Sequence, residues 1–204
     1  MNFSSSIIKN VVEAISNFPG IGQKTALRLV IYLLRNKKNA YKISNTIKEL
    51  VDKINYCSIC FNITEFKYCE ICQDPKRDKH TICIVEDISD IMAIENTMQY
   101  KGQYHVLGGL ISPIDGIGPS NLNIEPLINK LSNGNIKEVI FALCASMEGE
   151  TTNYYIFKKI KHIGCEITTI SKGISIGSEL EYADQITLGR ALINRYSFEN
   201  TLKE

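Results

Sequence analysis

The chain has 204 residues, 44% of them apolar and 22% charged, enough for one sizeable domain and a smaller one. No stretch is long and apolar enough to cross a bilayer. The opening Met1-Asn2-Phe3-Ser4-Ser5-Ser6-Ile7 lacks the basic start and apolar run of a secretion signal. The expectation is a cytoplasmic protein whose seven cysteines stay reduced and serve metal binding or packing. The net charge of +1 conceals an asymmetry: residues 1–56 hold nine Lys/Arg against three acids, and the remainder 14 against 19. Such a basic segment points to a polyanion contact, the alternative being a solvated lysine-rich surface.

In chain order, Ile7, Val11, Val12 and Ile15 recur with helical spacing over residues 5–17, with Ser4 to Ser6 as candidate N-caps. Phe18-Pro19-Gly20-Ile21-Gly22 breaks that helix. A second helix is expected over residues 23–35 and a third over 40–54. The cysteine cluster follows, then a polar linker at 73–79. From there the pattern alternates: strand 81–85, helix 87–99, strand 104–107, a glycine-rich loop at 108–119, helix 123–131, strand 138–143, helix 151–163 and strand 166–170. Alternation of this kind indicates a parallel sheet covered by helices, an α/β fold. A loop at 171–178 and a short helix at 187–196 finish the chain. The divisions expected are a helical region at 1–54, a cysteine finger and linker at 55–78, the α/β domain at 79–174, and a tail at 175–204 that makes oligomer contacts.

The strongest chemical signal is Cys57-x2-Cys60-x8-Cys69-x2-Cys72. Each CxxC pair forms a knuckle that aims two sulfurs at one point, and two pairs close the tetrahedron that zinc takes in structural sites. The insert between them is too short for a core of its own, so metal must supply folding energy, on the order of 10 kcal/mol in small peptides. Four thiolates leave no open position for catalysis. A redox dithiol and an iron–sulfur cluster are the competing readings. Cys83 and Cys165 fall in or beside apolar strand runs and read as small core residues; the histidines, His80, His105 and His162, are scattered.

The second signal is the turn with Gly20 and Gly22 between two helices. These glycines permit a tight hairpin and a close backbone approach to a ligand. Amides at the start of the next helix then offer an anion site. Lys24, Arg28 and Arg35 share one helical face with Tyr32, and Lys37 or Lys38 add to the field. Ala26, Leu27, Val30, Leu33 and Leu34 face inward. A helix–hairpin–helix gripping phosphates explains the glycines and the basic face together; an ordinary helical packing unit with a glycine cap explains the glycines alone. Contacts of the first kind read the backbone and carry little sequence specificity.

The order of these parts resembles the bacterial recombination mediator family RecR. The matching segments are Phe18–Arg28, the four cysteines, Ile84-Val85-Glu86-Asp87, the run Tyr104-His105-Val106-Leu107-Gly108-Gly109-Leu110-Ile111-Ser112-Pro113 with Asp115-Gly116-Ile117-Gly118-Pro119, Glu148-Gly149-Glu150, and Glu179-Leu180-Glu181-Tyr182-Ala183-Asp184. The resemblance implies a helix–hairpin–helix region, a four-cysteine zinc finger and a Toprim α/β domain. It also implies a homo-oligomer, dimer or tetrameric ring, that clamps single- and double-stranded DNA in the nucleoid. The partners it implies are RecO and RecF, with which such a protein helps RecA load onto DNA. The chain departs from its family at Cys144-Ala145-Ser146, where the resemblance leads one to expect Asn-Pro-Thr, and at Ser178, where it leads one to expect glycine.

Toprim folds also occur in topoisomerases and primases, so a metal-dependent nuclease or topoisomerase-like enzyme is the rival reading. Their pattern resembles a glutamate after the first strand and a later D-x-D-x-E run. Glu86 occupies the first place, but Cys144 and Ser146 fill both aspartate positions ahead of Glu148. Magnesium requires oxygen ligands, chiefly carboxylates and water, so the sequence predicts no catalytic residues. Glu86 and Glu148 remain candidates for a partner-binding surface or for two solvated acids. A protein-only adaptor, whose basic segment binds an acidic partner, is a third reading.

Overall fold

The structure, a computed structural model, describes residues 5–195, 197 and 198. Its contacts divide the chain into two compact units, Met1–Ile54 and Asn55–Glu204. In the first unit, α1 (Ser6–Ser16), α2 (Gln23–Arg35) and α3 (Lys37–Lys53) follow one another with short connections. The break after α1 is a tight turn in which the Ile21 N–H donates to the Phe18 carbonyl at 3.1 Å. Pro19 pre-sets the second position of that turn, and Gly20 takes the positive φ of +77° that the third requires. Val12, Ala26 and Val30 form a small core with Ile8, Ile15, Ile21 and Leu27 against it.

Two expectations change here. The third helix begins at Lys37, because Asn36 ends α2 and accepts the Ala40 N–H at 3.0 Å to start α3 directly. Leu34, expected inside, is 54% exposed, and Ile7, on the apolar face of α1, is 73% exposed. Three short helices have too little interior for two apolar stripes, so one stripe fills the core and the other stays on the surface.

The second unit opens with a hairpin of β1 (Asn55–Tyr56) and β2 (Ile63–Thr64), followed by the single turn α4 (Glu70–Gln73). Beyond it lie β3 (Thr81–Val85), α5 (Ile88–Asn96), β4 (Gln103–Val106), α6 (Ile124–Asn133), β5 (Glu138–Phe141), α7 (Met147–Ile160), β6 (Glu166–Thr169) and α8 (Gln185–Ile193). The sheet order is β4-β3-β5-β6, and every pair is parallel. Alternating residues of β3 supply both faces. Ile82 and Ile84 join Leu127, Leu131, Ile156 and Ile160 of α6 and α7 on one side. Cys83 and Val85 join Ile91, Tyr104 and Val106 on the other. Sheets of this type need helices on both faces, and the run Thr-Ile-Cys-Ile-Val meets that need.

Most expected elements appear with ends shifted by a few residues. The largest shift is α7, which starts at Met147 in place of 151 because the Ser146 hydroxyl caps it, accepting the Gly149 N–H at 3.1 Å. Tyr196, expected in the last helix, lies outside the described residues. The polar linker is anchored: Arg77 donates to both carboxylate oxygens of Glu95 on α5 and, at 3.2 Å, to the Gly102 carbonyl. The Tyr104 hydroxyl donates to the same carboxylate at 2.7 Å. The Arg77 guanidinium holds Glu95 below the usual carboxylate range.

With the two side chains only 15% and 30% exposed, Arg77→Met leaves a half-buried carboxylate without its cation. It should lower stability by about 1–3 kcal/mol, read as a lower urea midpoint with an unchanged slope.

Candidate metal centre and nucleic-acid interface

The cysteine finger is built from backbone outward. The Phe61 N–H donates to the Cys57 carbonyl at 3.0 Å, and the Cys57 N–H donates to the Asn62 carbonyl at 2.7 Å. This tight knuckle forces Phe61 to a φ of 63°, uncommon for a side chain of that size. Phe61 is held there by packing with Val85, Tyr104 and their neighbours and by an edge contact with the His105 ring at 5.4 Å. The second knuckle is the start of α4, where the Gln73 N–H donates to the Cys69 carbonyl at 3.1 Å.

The four sulfurs of Cys57, Cys60, Cys69 and Cys72 lie within 4.8 Å of one another, and those of Cys60 and Cys69 are 3.5 Å apart. A tetrahedron with Zn–S bonds of about 2.3 Å has sulfurs roughly 3.8 Å apart. Cys57, Cys60 and Cys69 are buried and Cys72 is half-buried. The Cys69 N–H donates to the Cys57 sulfur at 3.3 Å, the kind of outer contact that orients metal ligands. Without a metal these thiols share their protons. Hydrogen bonds from Cys60 first and Cys72 next hold Cys69 far below the thiol range, while the bond to Cys69 pushes Cys60 up. A divalent cation is what allows all four to be thiolates together. The donor set and its spacing suit structural zinc.

The turn and α2 carry the residues singled out for DNA. Gly20, Gly22, Lys24, Arg28 and Arg35 are all exposed, as is Tyr32 among them. The first intrahelical bond of α2 runs from the Ala26 N–H to the Gly22 carbonyl at 2.9 Å. The amides of Gln23, Lys24 and Thr25 precede it and so lack intrahelical acceptors, and no side chain caps them. α3 likewise has no cap and no acid in its first turn, which carries Lys37 and Lys38. Two helix starts bearing lysines, both electropositive by their dipoles, are favourable ground for anions.

Glu86 follows β3 directly, and β5, which leads towards α7, pairs beside β3. Burial raises the Glu86 pKa, with Asp90 and Asp87 adding to the rise, while a hydrogen bond from Cys144 opposes it. Glu148 lies in the first turn of α7. Among the described residues, the only set of three or more His, Cys, Asp or Glu side chains that converges is the four-cysteine one, so Glu86 and Glu148 belong to no such set. The sequence singles out Glu148-Gly149-Glu150 but holds no reason for its glycine. A Cβ there would stand 2.0 Å from the Cys144 carbonyl, which is why glycine sits between Glu148 and Glu150. The serine cap followed by acids at 146–150 was the available signal.

Removing one knuckle ligand tests the centre. Cys57→Ser should release zinc and lower the melting temperature by roughly 4–8 °C, the shift that about 2 kcal/mol makes in a chain of this size. Metal analysis and thermal melting check this; full zinc content with an unchanged melting temperature refutes it.

Comparison with known proteins matches four family descriptions along the chain. They are the RecR helix-hairpin-helix at residues 8–51, the RecR four-cysteine zinc finger domain at 54–74, the Toprim domain at 80–171 and the RecR C-terminal region at 173–196. The "Recombination protein RecR" of Flavobacterium johnsoniae is 53% identical over 204 residues, covering 100% of this chain and 99% of that protein. The protein of the same name from Bacteroides thetaiotaomicron is 50% identical over 201 residues, 98% of each. That of Flavobacterium psychrophilum is 50% identical over 206 residues, covering 100% of this chain and 99% of its own. With its helix–hairpin–helix, four-cysteine zinc finger, Toprim domain and full-length relatives, this chain belongs to the RecR family.

Proposed function

We propose that this protein is a non-enzymatic DNA clamp and adaptor of recombinational repair. It acts with RecO and RecF to help RecA load onto DNA, and it works in the cytoplasm at the nucleoid. The observation that carries the DNA-binding reading is the exposed line of Lys24, Arg28 and Arg35 beside the uncapped amides of α2. In this reading the amides that follow Gly20 and Gly22 and the two basic side chains next to them grip backbone phosphates. Binding is then indifferent to sequence and serves single and double strands alike. The names of the relatives, which are recombination proteins, support the pathway. Among the described residues, no helix is long and apolar enough to cross a membrane.

Assembly into a dimer or tetrameric ring draws support from the first unit. α3 has no buried residue, and Tyr41, Leu50 and Val51 are 71%, 59% and 74% exposed. An apolar surface of that extent is costly in water and marks an interaction site. A ring multiplies weak phosphate contacts by avidity. The non-enzymatic reading rests on the Glu86 neighbourhood, where a thiol at Cys144 and a hydroxyl at Ser146 stand in place of the carboxylates that magnesium requires. Glu86 and Glu148 then serve as partner-binding acids.

Fluorescence anisotropy with labelled DNA across a salt series tests the proposal. Wild-type affinity should fall steeply with salt. Lys24→Ala with Arg28→Ala should weaken binding about tenfold or more for every sequence and reduce the salt slope by about two. A double variant that binds like wild type sinks the assignment of the basic face.

A further inference from the structure

Lys130 is on α6, seven residues after the N-cap Asn123 and therefore on the same face two turns along. Helical side chains lean back towards the N-terminus, so the Lys130 stem runs towards the Asn123 end. There Asn123 is tied to β4. Its carbonyl accepts from His105 Nε2 at 2.7 Å, its side-chain amide donates to the Val106 carbonyl at 3.1 Å, and its N–H donates to the Leu107 carbonyl at 2.9 Å. The other side of this segment belongs to the first cysteine knuckle. The Val106 N–H donates to the Cys60 carbonyl at 2.8 Å, and His105 meets Phe61 edge-on. The start of α6, the edge strand and the knuckle thus meet around His105 and Val106.

Lys130 Nζ is buried and has no hydrogen-bond partner, and none of the ion pairs among the described residues includes it. A buried ammonium without a countercharge is strongly unfavourable. The negative groups that act on Lys130 are the four cysteines, which as thiolates around Zn²⁺ carry a net charge of −2. Burial lowers the Lys130 pKa, but all four cysteines, Cys72 foremost, pull it the other way.

We propose that the Lys130 ammonium is the buried countercharge of the four-cysteine zinc centre, offsetting part of its negative charge and thereby retaining the metal. The orphaned Nζ, on the face of α6 whose start is bonded to the strand that holds the knuckle, carries this assignment. It makes Lys130 a positioning residue of the metal site, supplied by the Toprim domain rather than by the finger.

The test uses full-length, zinc-loaded protein titrated with a chromogenic zinc chelator. Lys130→Met keeps the volume and the apolar stem but removes the charge. It should surrender zinc at a 10- to 100-fold lower chelator concentration, the usual effect of losing an outer partner of a metal site. Lys130→Arg keeps the charge and should hold zinc like wild type. With zinc in excess, Lys130→Met should melt with the wild-type protein, since saturating metal repopulates the site. The proposal fails if Lys130→Met holds zinc as wild type does, or if Lys130→Arg releases it as readily as Lys130→Met. It also fails if Lys130→Met melts early even in excess zinc, which marks a packing role. A wild-type chain that binds no zinc at all would overturn the metal centre itself, together with this role for Lys130.

Discussion

The bond from the Val106 N–H to the Cys60 carbonyl settles how the second unit is put together. β4 is the edge of a parallel sheet, and an edge strand exposes a row of unpaired amides that invite other chains. The knuckle places a carbonyl on that edge and lays Phe61 and Ile71 against the face formed by Val85, Tyr104 and Val106. A finger too small for a core of its own thereby borrows one, and the sheet gains a cover at that edge. Zinc would serve both partners, since binding the four cysteines would fix the tight turn that presents the carbonyl and the aromatic ring. Phe61 in the left-handed region is the local cost of that turn, on the order of 1–2 kcal/mol, and the packing of its ring offsets it.

The same logic explains the family-matching run from Tyr104 to Pro113. In the run that begins Tyr104-His105-Val106, each side chain has a separate structural task. Tyr104 bonds to Glu95, His105 to the start of α6, and Val106 packs on β3's outer face. His105 is fully buried, and burial lowers its pKa to about 4, so it stays neutral and donates a single hydrogen bond to Asn123. Further on, Ser112 pairs with Ile117 in a bridge and donates to Asp115 at 2.6 Å, which folds the glycine-rich loop back on itself. The loop's glycines serve turns here, in keeping with the absence of a phosphate-binding G-K-[ST] ending.

Legibility from sequence follows the strength of the local signal. The strand at residues 81–85 and the helix at 23–35 are readable to the residue, since a β-branched run and a glycine N-cap each fix their own ends. The four cysteines are readable because metal geometry constrains spacing. The hairpin β1–β2 and the turn α4 are invisible, because strands of two residues carry no periodicity. Periodicity also assigns the second apolar stripe of the N-terminal helices to the core, since it reports amphipathicity without saying what covers the face. Lys130 is equally hidden. A lysine on a helix reads as solvated, and only the tertiary arrangement brings it to the cysteines.

The thiol and hydroxyl at Cys144 and Ser146, where catalytic Toprim enzymes resemble two aspartates, leave the local scaffold intact. At an N-cap, serine and aspartate serve almost equally well, so Ser146 starts α7 as an aspartate would. The carbonyl of Cys144 lies so close to α7 that only glycine fits at 149, a constraint of the backbone that is indifferent to the side chain at 144. Neither position therefore needs a carboxylate to keep the fold. A metal would need it, and beside Glu86 the chain offers a thiol instead. Because folding tolerates the exchange and hard-cation chemistry does not, the C-terminal edge of this sheet keeps its shape and its two glutamates. That combination is compatible with the proposed role of the two glutamates as partner-binding acids.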